Sequence, residues 1–143
     1  MDVNQKVRIE IYDDTSTRGT AQVIDYEKGR VRKKISNPDE IVILEDKISI
    51  NFRYPLTVQV AFEFENKGGF TRMDLFRCIY EGYKKIYDEE EAEVGDPGTY
   101  DRLYNRRKSE GKYGIWGHYL NDLYVEGILY NPKEKSIDLQ IGS

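Results

Sequence analysis

Several short stretches of this chain alternate apolar and polar residues with a period of two, and one long stretch near its middle changes to a period of 3.6. The first alternation sets Val7, Ile9 and Ile11 against Arg8, Glu10 and Tyr12, the pattern of a strand with one buried face. A polar, turn-rich run follows over residues 13–19. Residues 20–26 and 30–35 then read as a hairpin joined through Glu27-Lys28-Gly29. Its second strand carries Val31 and Ile35 with Lys33 on one side and Arg30, Arg32 and Lys34 on the other, which predicts an exposed, strongly basic face. Residues 41–44 are a short apolar run, and residues 48–52 alternate again. Tyr54-Pro55 interrupts pairing, because proline has no N–H to give a ladder. Residues 57–64 form the cleanest alternation, with Val58, Val60, Phe62 and Phe64 on one face and Thr57, Gln59, Ala61 and Glu63 on the other.

The period changes after Asn66-Lys67-Gly68-Gly69. Thr71 stands as a cap, Asp74 occupies the capping-box position three residues on, and Phe70 with Leu75 makes a hydrophobic staple, so a helix is predicted over residues 71–92. Cys78, Gly82, Leu75, Ile86 and Ile79 form one aliphatic arc; Tyr83, Phe76, Tyr87, Tyr80 and Met73 extend it into an aromatic one. A helix so widely apolar needs cover on more than one side. A sheet takes the aliphatic arc, and residues 95–118, with a short helical turn over 100–107, take the tyrosines. Residues 123–130 and 136–141 then read as a closing C-terminal hairpin around 131–135. The fold expected is α+β: a mainly antiparallel sheet of about six or seven strands packed on one long helix, in a single domain spanning residues 1–143.

Composition narrows the functional classes. A chain of 143 residues can bury a core without disulfides or a structural metal. The lone cysteine, Cys78, excludes an internal disulfide, and the single histidine leaves no Cys/His zinc spacing, so no metal or other cofactor is expected and a reducing, cytoplasmic setting is. No basic-then-apolar leader opens the chain, and no window approaches the roughly 18 apolar residues of a membrane span, so no membrane association is expected. Net charge is -4, and dividing the chain after Thr71 gives 11 basic against 12 acidic residues and then 11 against 14. Neither half is a basic module, which lowers the case for nucleic acid while leaving room for a local patch.

The densest unusual passage runs from Gly111 to Leu123, where three glycines meet the only Trp and the only His. Trp116 offers a large anchor, and His118 lies four residues from Asp122, a carboxylate able to orient an imidazole on one helical face. The competing explanation is structural, with Trp116 packed on the tyrosine arc and His118 making one fixed hydrogen bond. Arg102, Arg106, Arg107 and Lys108 form a basic cluster beside Tyr100, Tyr104 and Tyr113, the mixture used by phosphate and single-strand sites. Asp88, Glu89, Glu90, Glu91 and Glu93 crowd a helix C-terminus, where the macrodipole disfavours acids. They read as a frayed, solvated end, with a docking site for a basic partner as the alternative. Cys78 lies in the aliphatic arc and reads as a small buried hydrophobe. None of the familiar reaction motifs is present.

Gly69-Phe70-Thr71-Arg72, Ile86-Tyr87 with the following acids, Asn105-Arg106, and Gly111-Lys112-Tyr113-Gly114-Ile115-Trp116-Gly117-His118 with Leu120, Asp122 and Leu123 resemble a family of uncharacterised proteins of plants and of large DNA viruses of amoebae and algae. The resemblance covers residues 57–125. It implies a shared fold and a shared site at Trp116 and His118, and no particular activity. The leading expectation is therefore a non-catalytic interaction protein whose partner is a protein, a second copy of the chain included, using the 100–122 loop. The alternative is a small-ligand or phosphate binder, or an enzyme, with His118 as acid/base, Asp122 as its orienter, Arg106 or Arg107 as anion clamp, and Tyr113 or Trp116 as stacking wall.

Overall fold

The structure, a computed structural model, describes residues 5–12 and 20–143; the turn-rich run at 13–19 lies outside the described residues. Seven strands and one long helix are described: β1 Val7–Ile9, β2 Ile41–Ile43, β3 Lys47–Phe52, β4 Val60–Glu65, β5 Phe70–Thr71, α1 Arg72–Val94, β6 Tyr124–Asn131 and β7 Ser136–Gly142. Five strands form a mixed sheet in the order β1-β6-β7-β3-β4, and β2 pairs with β5 in a small second sheet. The fold is α+β with the expected closing hairpin, β6-β7. Every pairing in the large sheet is antiparallel except β3 with β7, whose parallel register sets Ile50 beside Ile137.

The helix starts as its sequence predicts. Thr71 Oγ1 accepts from the Asp74 N–H at 3.0 Å, and the Asp74 carboxylate accepts from the Thr71 N–H at 2.9 Å. Leu75, Phe76, Cys78, Ile79, Gly82, Tyr83, Ile86 and Tyr87 are buried, which reproduces the aliphatic arc and most of the aromatic one, while Met73 and Tyr80 at its margin are half-buried. Gly82 is required by packing, because a Cβ there would stand 2.1 Å from the Phe52 ring. Burial pushes the Cys78 thiol up to about 12, as suits an inert core residue.

Three expectations are corrected. Residues 20–35 contain no hairpin. Val23–Asp25 and Val31–Lys33 are 3-10 helical turns packed on α1, and the Asp25 carboxylate accepts from the Gln22 N–H and from Lys34 Nζ. A spacing of four, such as Val31 to Ile35, satisfies a helical turn as readily as a strand. The basic face is also largely neutralised, since Arg32 makes a bidentate pair with Asp39 at 2.7 and 2.9 Å and Lys34 pairs with Asp25. In the third stretch, residues 57–59 leave the strand line: the N–H groups of Thr57 and Val58 both donate to Tyr113 O, so Val58 is exposed and not on the inner face.

Cover over the tyrosines is shared. Tyr26 packs against Tyr80 with ring centroids 5.7 Å apart, Tyr83 Oη donates to Tyr54 O, and Tyr87 Oη donates to His118 O. No described helix is long and apolar enough to cross a membrane.

Candidate functional site

The connection between α1 and β6 hangs on one carboxylate. Glu90 lies in the last turns of α1, is fully buried, and accepts from the Ser109 hydroxyl at 2.5 Å and the Gly111, Tyr113, Gly114 and Ile115 N–H groups at 2.8–3.3 Å. Burial alone would raise its pKa. The Ser109 hydroxyl and the backbone donors of Tyr113, Ile115 and Gly111 outweigh burial and hold the carboxyl below its ordinary value. Gly111 is needed for this approach, because a Cβ there would meet Glu90 Oε1 at 2.5 Å. The neighbouring acids take part too: Glu89 accepts from Tyr113 Oη at 2.7 Å, and Glu93 from the Lys112 N–H at 2.8 Å. The acidic run is thus an ordered clamp and not the frayed end its sequence suggests; helical order continues to Val94, and Gly95 caps it at φ 78°.

Arg106 is buried against this clamp. Its Nη1 donates to Arg107 O, Ser109 Oγ and Ile115 O at 3.1–3.2 Å, and Ser109 passes the link on to Glu90. Its guanidinium carbon stands 5.7 Å from the Tyr87 ring and 5.9 Å from the Tyr119 ring, a cation held between two π faces. Nε and Nη2 have no partner among the described residues. Arg106 is therefore built into the loop and is buried, not at the surface. Tyr113 is buried as well, and burial together with its bond to Glu89 pushes the phenol up to about 12.

His118 and Asp122 do not meet. His118 Nε2 lies 2.8 Å from Tyr54 Oη and 3.0 Å from Ser143 Oγ, and those two hydroxyls are 2.8 Å apart, closing a triangle. The Asp122 carboxylate instead accepts from the Tyr119 N–H at 2.9 Å and closes a 3-10 helical turn over Leu120–Asp122. Trp116, 40% exposed, meets Tyr54 edge to face with centroids 5.1 Å apart, and its backbone N–H donates to Pro55 O beside the cis Tyr54-Pro55 bond. Arg107 lies outside, stacked on Tyr100 at 5.0 Å, with Nε on Thr99 O and an ion pair to Asp101.

Residues 100–104 form a tight turn and not the helical turn expected there. Tyr100 N–H donates to Asn105 O, Leu103 N–H to Tyr100 O, and Thr99 bridges Arg106, which in turn bridges Gly117. Arg102 takes the left-handed conformation at φ 63°. Leu103 is 57% exposed and Tyr104 97%, beside the half-exposed Tyr100.

Six residues were singled out in sequence: Arg106, Arg107, Tyr113, Trp116, His118 and Asp122. The structure pairs Trp116 and His118 around Tyr54 and sends the other four to separate tasks. Sequence reasoning missed Tyr54, Ser109 and Glu90. The signal for Glu90 was its i+4 spacing from the buried Ile86, which carries the apolar stripe into the acidic run. Among the described residues no group of three or more His, Cys, Asp and Glu side chains could hold a metal ion. No protein-family model matches the chain, and neither a curated protein nor a solved structure does.

Proposed function

We propose that this protein is a non-catalytic interaction module that presents Leu103, Tyr104 and Trp116 from a rigidly tied loop, with a second copy of the chain as the first partner to test. The observation that carries the reading is the 97% exposure of Tyr104 on a turn whose base is hydrogen-bonded on both sides. Large aromatic side chains bury much area for few rotatable bonds, which is why they are enriched at interfaces. Asp122, expected to orient His118, is bonded to the Tyr119 N–H, and the Tyr113 hydroxyl is bonded to Glu89, which favours the interaction reading over an enzyme. The Gly111–His118 stretch supports kinship with the plant and viral family it resembles, and the buried thiol of Cys78 suits a cytoplasmic setting, in a host cell if the chain is viral.

Light scattering on size-exclusion peaks tests the reading. Wild type is expected to run as a dimer, and a Leu103→Ser, Tyr104→Ser, Trp116→Ala variant with unchanged circular dichroism as a monomer. A wild type that stays monomeric at about millimolar concentration removes self-association through this loop.

A further inference from the structure

The two edges of the large sheet are finished differently. At one edge β1 is three residues long, and its continuation is covered: Ser36 N–H donates to Ile11 O, and Arg72 Nε to Glu10 O. At the other edge β4 runs six residues without proline or bulge, carries charge only at Glu63 and Glu65, and has β3 as its only neighbour among the described residues. Natural sheets usually shorten, charge or cover an edge to prevent unwanted pairing.

Register fixes which main-chain groups of β4 are bare. Ser49 N–H donates to Lys135 O on the β7 side, so Ile48 and Ile50 turn their N–H and C=O toward β4. Their partners Phe64 and Phe62 face β3 in return, and Asn66 N–H on Asp46 O keeps the same parity. Ala61, Glu63 and Glu65 therefore point their main-chain groups outward, where no described residue pairs with them. On the helix side of this edge lies a cleft of about 350 Å³ lined by Phe62, Glu63, Phe64, Glu81, Gly82 and Lys85, with the Lys85 ammonium 5.0 Å from the Phe62 ring centre. On the opposite face Glu63 and Glu65 are exposed and share one ammonium, Lys47, at 3.7 and 3.4 Å. Among the described residues no second cation forms an ion pair with either carboxylate.

We infer that β4 is a docking edge for an extended peptide strand of a partner protein, one that alternates apolar and basic residues. Its main chain pairs with Ala61, Glu63 and Glu65, its apolar side chains enter the cleft against Phe62 and Phe64, and its basic side chains lie across from Glu63 and Glu65. The alternation is dictated by the strand period, since residues on one face of the incoming strand meet the cleft and those on the other meet the acids. This edge is independent of the Tyr104 and Trp116 surface.

Fluorescence polarisation with a labelled probe of alternating valine and lysine, about ten residues long, tests the inference. Binding is expected to weaken roughly tenfold in a Glu63→Lys, Glu65→Lys variant of unchanged circular dichroism, and to shift in that variant toward a probe with glutamate in place of lysine. N-methylation of the probe amides that face the edge should abolish binding, and Trp116→Ala should leave it unchanged, which separates this surface from the loop. No binding at about millimolar protein overturns the proposal, as does binding indifferent to charge reversal or N-methylation. So does a wild-type dimer dissolved by Glu63→Lys, which gives the edge to a second copy.

Discussion

The inner and outer halves of the connection between α1 and β6 use similar residue types for opposite purposes. Gly111, Tyr113, Gly114 and Ile115 turn their backbone N–H groups inward onto Glu90, and the one phenol of residues 109–115, Tyr113, is spent on Glu89. Residues 100–104 turn their backbone onto one another and leave Leu103 and Tyr104 in solvent. A tyrosine, a glycine or an arginine in this connection therefore says little until its backbone bonds are followed. Where the main chain is satisfied by a buried carboxylate, the side chains are structural. Where it closes on itself in a short turn, they are free to be displayed.

The largest effect that could break this contrast comes from the clamp. Glu90→Ala removes one acceptor and strands a hydroxyl and four backbone donors, so a loss of about 4 kcal/mol is expected in urea denaturation, with Gly111→Ala costing about 2 kcal/mol by crowding the same carboxylate. Equal midpoints for wild type and Glu90→Ala would show that the loop holds itself. Acid should act on the same point. Glu90 and Asp138 both sit below their ordinary values; at Asp138 burial is outweighed by bonds from Lys6 and Asn51 and by the Arg53 charge. The unfolded chain therefore takes up protons first, so their contribution is complete above about pH 5 and is lost as the pH falls through the lower folded values. A denaturation series from pH 6 to 2 is expected to show this decline, flattened in Glu90→Gln. At the small end, Leu103→Ser with Tyr104→Ser should change stability by less than about 0.5 kcal/mol, since neither side chain is packed. A larger loss by thermal denaturation would place the turn within the core and dissolve the distinction.

Much of the fold was legible because its signals were local. The Thr71 and Asp74 caps, the two arcs of α1, the alternation of β3 and the closing hairpin of β6 and β7 each follow from residues close in sequence. The 20–35 segment misled because Val31 and Ile35 fit two periods at once, and the parallel β3 to β7 pairing has no local signature. At the site, the Trp116 and His118 ring centroids lie 6.2 Å apart, yet the imidazole bonds to Tyr54 and Ser143, 64 and 25 residues away, in place of Asp122. Chain distance hid both partners. Glu90 was overlooked for a different reason: in a run of five acids, composition points to solvent, and only the helical phase set by Ile86 marks one member for burial.

The bonds from Glu90 to residues 109–115 also bear on how the molecule comes apart. A connection of this length would ordinarily open by itself, long before the helix it leaves. Here the last turns of α1 and the loop share a single buried anchor, so neither can open without stranding the other's polar groups. The lone indole, Trp116, lies next to that anchored stretch, and its emission on denaturation should follow the same transition as the helical circular dichroism signal. The loop and the helix would then form one cooperative unit, and the display surface would persist for as long as the protein stays folded.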